Sequence, residues 1–242
     1  MLMLSVVAVR RSTFWLALAV LLSTAAFAAS VTNIDQMSGW ESCTSCAGSG
    51  GSGPQAYYSV WIFQSSPSLD GASARFNLAG STPYSNALWW KQLTPSPGAH
   101  NFQYDFWVYL TNSSAPQALE FDVNQSVNGK KFIFGTECDF KYLHVWKLWD
   151  SYNGTWVPTG VGCAPFQAYS WNHFILEFQR TWNDQVFFID IVINGQRYYF
   201  NRTFQPKHGI DASELNVAVQ LDGDYRQTPY SVWVDKITLN YW

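Results

Sequence analysis

The sequence predicts an all-β protein, a two-sheet antiparallel sandwich of jelly-roll type. Three observations carry this. Short alternating runs bounded by Gly, Pro, Asn and Ser recur along most of the chain. Two Asn-Gly pairs each separate two such runs, the signature of a two-residue hairpin turn. No convincing amphipathic helix follows the first Cys pair, and no fixed repeat of the propeller kind is visible.

The elements follow in order. Residues 1–28 read as an address. Arg10 and Arg11 precede the apolar run Phe14–Leu22, and Ala26-Phe27-Ala28 offers a cleavage site, so a secretory signal peptide is expected. The run is too short to span a bilayer as a helix. Cleavage removes both arginines and no acid, which moves the formal charge from −3 to −5. Residues 29–242 are expected to form one sandwich domain, secreted to an extracellular or periplasmic space, with no stable membrane span once the signal is cleaved.

Cys43, Cys46, Cys138 and Cys163 are an even set in an exported chain, so two disulfides are expected. Three connectivities exist, and the local pairs Cys43–Cys46 and Cys138–Cys163 are favoured. A redox role for the first pair, or a zinc site, lacks the βαβ pattern or the second ligand pair it would need. Residues 47–53, all Ala, Gly and Ser, read as a flexible loop. Strands are expected at 57–63, 73–78, 102–110, 117–125, 131–137, 142–149, 173–180, 185–193, 196–201, 215–221 and 231–241. The Asn-Gly turns fall at Asn128-Gly129 and Asn194-Gly195.

Composition narrows the function. There are 13 Trp, 13 Tyr and 17 Phe, 18% of the chain, against only 13% charged residues. A chain with 48% apolar residues is not disordered, and a net acidic one is not a typical nucleic-acid binder. Phasing of 102–110 places Asp105, Trp107 and Tyr109 on one face and Phe102, Tyr104 and Phe106 on the other. In 215–222, Asn216, Gln220 and Asp222 alternate with core aliphatics. Flat rings with amides and carboxylates suit sugars, so the expected partner is a polysaccharide or oligosaccharide. His144 and Trp146 share a phase in 142–149 and are further groove candidates, with Trp149 on the opposite phase.

The segment richest in chemistry is the hairpin around Asn128-Gly129. If those two residues form the turn, Val127 pairs with Lys130 and opposed residue numbers sum to 257. Glu120 then faces Glu137, Asp122 faces Gly135 and Asn124 faces Ile133, all on one surface. Two opposed carboxyls repel, which raises one pKa and separates an acid from a nucleophile. Their expected spacing suits a retaining glycosidase.

Here a resemblance can be stated. Glu120-Phe121-Asp122-Val123-Asn124 resembles the Glu-(Ile/Leu/Phe)-Asp-x-x-Glu strand of laminarinase- and lichenase-type retaining glucanases, and is similar to the Glu-Phe-Asp strand of legume lectins. Trp171-Asn172-His173-Phe174, leading to Ile193-Asn194-Gly195, resembles a glucanase hairpin. Val232–Leu239 resembles their closing strand. Together these cover most of residues 115–242 and imply a concanavalin A-like jelly roll. The resemblance implies Glu120 as nucleophile and Asp122 as its assistant. It puts the acid/base at Asn124 or Gln125, and neither can supply a proton, so Glu137 would have to take that part.

The lectin likeness implies metal ligation at Glu120 and Asp122, so a structural Ca²⁺ is an option, with no cofactor certain. Asp222-Gly223-Asp224 is a second Ca²⁺ or sugar candidate. Tyr225 with Arg226 or Gln227 would serve a polysaccharide lyase. The leading expectation is a secreted, lectin-like carbohydrate-binding protein. The alternatives are an endo-acting retaining glycoside hydrolase and a cell-surface structural protein.

Overall fold

The computed structural model describes residues 28–44, 46, 56–163, 166–209 and 212–242. Most of the proposed signal peptide and the 47–53 loop lie outside that range. In chain order the strands are β1 (Ala29–Val31), β2 (Glu41–Cys43), β3 (Ala56–Gln64), β4 (Ser73–Gly80), β5 (Asn86–Gln92) and β6 (Asn101–Leu110). They continue with β7 (Pro116–Val127), β8 (Lys130–Asp139), β9 (Val145–Asp150), β10 (Thr155–Gly162) and β11 (Trp171–Arg180). The last are β12 (Val186–Ile193), β13 (Gln196–Phe204), β14 (Lys207–His208), β15 (Glu214–Gly223) and β16 (Tyr230–Tyr241). One turn of 3₁₀ helix spans Ile34–Gln36.

These strands form two antiparallel sheets of eight. Sheet I runs β13-β12-β11-β6-β16-β4-β3, with β1 added to β16. Sheet II runs β10-β9-β8-β7-β15-β5-β2, with β14 added to β8. The expected two-sheet sandwich is what forms, and each expected run lies on a strand. The run at 142–149 is shortened at its start. The Asp139 carboxylate accepts backbone N–H groups from Lys141, Tyr142 and Leu143. That ties residues 140–144 into a turn, with His144 at φ +54°, before β9 begins.

Alternation decides what fills the space between the sheets. In β6 every second residue is buried, and these are Phe102, Tyr104, Phe106, Val108 and Leu110. Leu119, Phe121 and Val123 of β7 face them from sheet II. The Phe106 ring stacks on Phe121 at 4.4 Å, and Phe134 of β8 packs between Phe102 and Phe178. Much of the aromatic content is therefore core. Burying a Phe side chain contributes about 1.5–3 kcal/mol, and stacked rings add somewhat more.

Both Asn-Gly pairs make their turns. Asn128 and Gly129 have φ +53° and +70°, and Asn194 and Gly195 have +49° and +89°. Positive φ at both central positions matches the right-handed twist of the flanking strands. Both expected disulfides are present, Cys43–Cys46 and Cys138–Cys163. The second ties β8 to the end of β10, across the strands that carry the site. Among the described residues no helix is long and apolar enough to cross a membrane.

Candidate functional site

The β7–β8 hairpin pairs as the turn requires: Val127 with Lys130, Asn124 with Ile133, Asp122 with Gly135 and Glu120 with Glu137. On the other side of β7, β15 places Gln220 opposite Glu120, Ala218 opposite Asp122 and Asn216 opposite Asn124. Strand β5 then sets Leu88 beside Gln220 and Trp90 beside Ala218. All these side chains leave the core on the outer face of sheet II. They line a groove of about 760 Å³, within the size range of small-ligand sites.

The floor is acidic and nearly dry. Glu120, Asp122, Glu137 and Asp222 each retain at most 9% exposure. Gln220 donates its amide to Glu120 and to Asp222 Oδ1, the latter at 3.0 Å. Asp122 Oδ1 accepts the Thr136 N–H at 3.2 Å. Lys147 Nζ lies 2.8 Å from both Glu137 Oε1 and Asp139 Oδ2. Asn124 donates to Asn216 at 3.0 Å.

Burial, reinforced by the charges on Asp222, Asp122 and Glu137, pushes the Glu120 carboxyl well above the usual range. Burial likewise pushes Asp122 and Asp222 up to about 7, although Thr136 N–H and the hydrogen bonds to Asp222 pull the other way. Glu137 is also raised, because burial outweighs its Lys147 partner. Asp139 goes down despite burial, because Lys147 and two backbone N–H groups favour its ionised form.

The walls are aromatic. Trp149 and Trp156 lie across β9 and β10 with ring centroids 5.1 Å apart, and Trp90 stands on β5. Tyr84 and Tyr142 line the groove and stay largely exposed. Gly135 gives the floor its depth. A Cβ there would sit 2.9 Å from Trp149 Cβ and 3.4 Å from Asp122 Oδ1.

The structure brings together Glu120, Asp122, Asn124, Glu137, Gln220 and Asp222. It does not bring the others. Asp105, Trp107 and Tyr109 are on β6, on the outer face of sheet I, and β6 pairs with β11 and β16. They are on the wrong sheet for this groove. Trp146 is fully buried and packs on Phe174 in the core. Its neighbours Lys147 and Trp149 take the groove phase instead. His144 sits exposed in the turn before β9 and does not line the groove.

The 222–227 segment divides. Asp222 belongs to the floor, but Asp224 is taken up by the N–H groups of Arg226 and Thr228 and by Lys141. Arg226 stacks on Tyr225, and Gln227 is buried against Ser85.

Sequence reading missed Trp90, Trp156, Tyr84, Asn86 and Lys147. Strand β5 carries Trp on both faces and shows no clean alternation, so it was invisible as a strand. Lys147 alternates with Trp146 and Leu148 on β9, but Val145 and Trp149 share its phase, so its outward direction was not legible.

Among the described residues one group of carboxylates could hold a cation. Carboxylate oxygens of Glu120, Glu137 and Asp222 lie within 4.8 Å of one another. Gln220 and Lys147 already occupy part of that set. A separate pair of buried acids lies away from the groove, where the 3₁₀ turn and the 68–72 loop meet β16. There Asp35 Oδ2 and Asp235 Oδ1 are buried without a hydrogen bond. Burial, with the Asp235 and Asp70 charges adding, pushes Asp35 up to about 7.

No protein-family model and no curated protein sequence matches the chain. Solved structures do resemble it in shape. The cellulose-induced protein Cip1 superposes with TM-score 0.52 at 11% identity, covering 86% of this chain and 96% of its own. A carbohydrate esterase of the Shiga toxin-encoding bacteriophage phi24B gives 0.49 at 16% identity, covering 87% and 97%. A family 11 carbohydrate-binding module from Clostridium thermocellum gives 0.42 at 13%, covering 86% and 94%. At such identities the likeness concerns the fold alone: a two-sheet β-sandwich.

Proposed function

We propose that the protein is an exported carbohydrate-binding protein of the concanavalin A-like jelly-roll kind, holding a polysaccharide or oligosaccharide chain in the sheet II groove. The observation that carries this is the pairing of floor and walls. Amides and carboxylates that accept hydroxyl hydrogen bonds lie beneath Trp90, Trp149 and Trp156, whose flat faces match the C–H faces of a pyranose. Two disulfides and the basic-apolar leader at 1–28 agree with export. Calorimetric titration with β-glucan, xylan and alginate fragments, chosen after a glycan array, tests the reading. Trp149→Ala should weaken binding about tenfold or more, the scale of losing one aromatic contact. An array with no bound glycan would overturn it and leave a structural role.

A second reading, a retaining glycoside hydrolase, is favoured by one observation: Glu120 and Glu137 stand opposed on one face with oxygens within 4.8 Å. Glu120, held protonated, would give its proton to the leaving oxygen. Glu137, whose ionised form Lys147 favours against burial, would attack the sugar, the reverse of the roles the glucanase resemblance implies. Binding ranks first because the Lys147 ammonium pairs with one oxygen of the carboxylate that would have to attack, which weakens it as a nucleophile. New reducing ends from wild type, absent with Glu120→Gln, would reverse that order.

A further inference from the structure

Asp105, Trp107 and Tyr109 face away from the groove, and the surface they occupy has an order of its own. Five residues stand directly opposite one another across five adjacent strands of sheet I: Trp61 on β3, Arg75 on β4, Trp233 on β16, Tyr109 on β6 and Trp171 on β11. At about 4.8 Å between strands this row runs for roughly 19 Å. Trp61 is 51% exposed, while Trp233 is covered by its neighbours. The Arg75 guanidinium carbon lies 5.0 Å from the ring centroids of both Trp61 and Trp233. Its Nε and Nη2 donate to Ser231 Oγ at 3.3 and 3.1 Å. A hydroxyl and amide line runs alongside, Ser231 to Asn77 to Ser59.

The charges of this face are unequal. Arg197 is matched by Glu177 and Asp190, and His173 by Asp105. Arg75 has no carboxylate within ion-pair distance among the described residues. Lying beside two indoles and bonded to Ser231, it is fixed in direction. A guanidinium in that state favours a planar or tetrahedral oxyanion.

We propose that this row is a second saccharide-binding surface, one that takes a polymer carrying acidic units. Arg75 pairs with the carboxylate or sulfate ester of one unit, and Trp61 stacks on the ring of that unit or the next. Both sources of the anion present the same oxyanion to Arg75, and the test separates them.

Affinity electrophoresis of the full chain in gels containing alginate (uronate), dextran sulfate (sulfate ester) or dextran (neutral) reads the surface directly. Wild type should be retarded by at least one acidic polymer, and which one identifies the anion. Arg75→Gln should weaken that retardation at least tenfold, and raised salt should weaken it too. Trp61→Ala, a change at an exposed side chain, should weaken it several-fold. Retardation that persists in Arg75→Gln but is lost in Trp149→Ala belongs to the groove and overturns the proposal. A wild type that neither acidic gel retards overturns the proposal. So does an Arg75→Gln protein that migrates as wild type does. Should Arg75→Gln fail to fold, as judged by near-UV circular dichroism, Trp61→Ala decides, and unchanged retardation of that variant overturns the proposal.

Discussion

Asp222 is held against its chemistry. Its carboxyl is buried beside Glu120 and Glu137, and its pKa lies at about 7 against 3.8 for a free side chain. The folded protein therefore holds a proton there that the unfolded chain releases. Between pH 4 and pH 7 the native state binds more protons than the denatured one, so this group makes stability fall as pH rises. The penalty is absent below about pH 4 and complete above pH 7. Asp222→Asn should remove it. Relative to wild type, the variant's Tm should be several degrees higher at pH 8 than at pH 4, by thermal denaturation. An offset that stays constant with pH would mean that Asp222 is ionised throughout. The same residue shows how far the sequence could be read. Its face followed from period two in Leu215–Asp222, but its company did not. Gln220 and Glu120 are a hundred positions apart, and only the register of β15 on β7 joins them.

The β7–β8 hairpin is the element most legible from the sequence. Asn-Gly fixes the turn, the turn fixes the register, and the register places Glu120 across from Glu137. Gly129 at φ +70° is needed for this. Gly129→Ala forces a side chain into a left-handed conformation and should cost about 1–2 kcal/mol, read as a lower urea midpoint. If the turn sets the register, carbohydrate affinity should fall along with stability. Strand β9 shows the opposite case. Its two phases, Trp146 with Leu148 and Lys147 with Trp149, are both apolar enough to be core, and the pattern alone does not choose. The choice comes from packing: Phe166 and Phe174 enclose Trp146, while Lys147 is drawn outward to Glu137. Strand β6 reads correctly for phase and incorrectly for place. Alternation shows which residues leave the core, but not which of two sheets a strand joins. The crossover from β6 in sheet I to β7 in sheet II separates Trp107 from the carboxylates that follow it a dozen residues later.

At the scale of the molecule, sandwich architecture was readable because it depends on the count and spacing of strands, and the two local disulfides because local pairs have few rivals. The Cys138–Cys163 bridge closes a 25-residue separation, which in a chain-entropy view contributes about 3 kcal/mol. Cys138 lies between Glu137 and Asp139, the two acids that hold Lys147. A Cys138→Ser/Cys163→Ser protein should lose roughly that much stability in urea titrations. It should also lose carbohydrate affinity beyond what a distant destabilising change of equal size produces. Equal losses would show that the bridge serves the fold alone.

With both proposed surfaces in use, the two sheets also set what the protein would do to a mixture of polymers. The groove opens from one broad side of the sandwich and the Arg75 row from the other, with the packed core between them. One stretch of chain cannot lie in both places at once without turning around the edge of the molecule. A monomer with its sites back to back is thus a tie rather than a clamp. It would join a polymer held in the groove to a different, acidic one held behind, and its mark on such a mixture would be mechanical: a stiffer gel at low protein concentration.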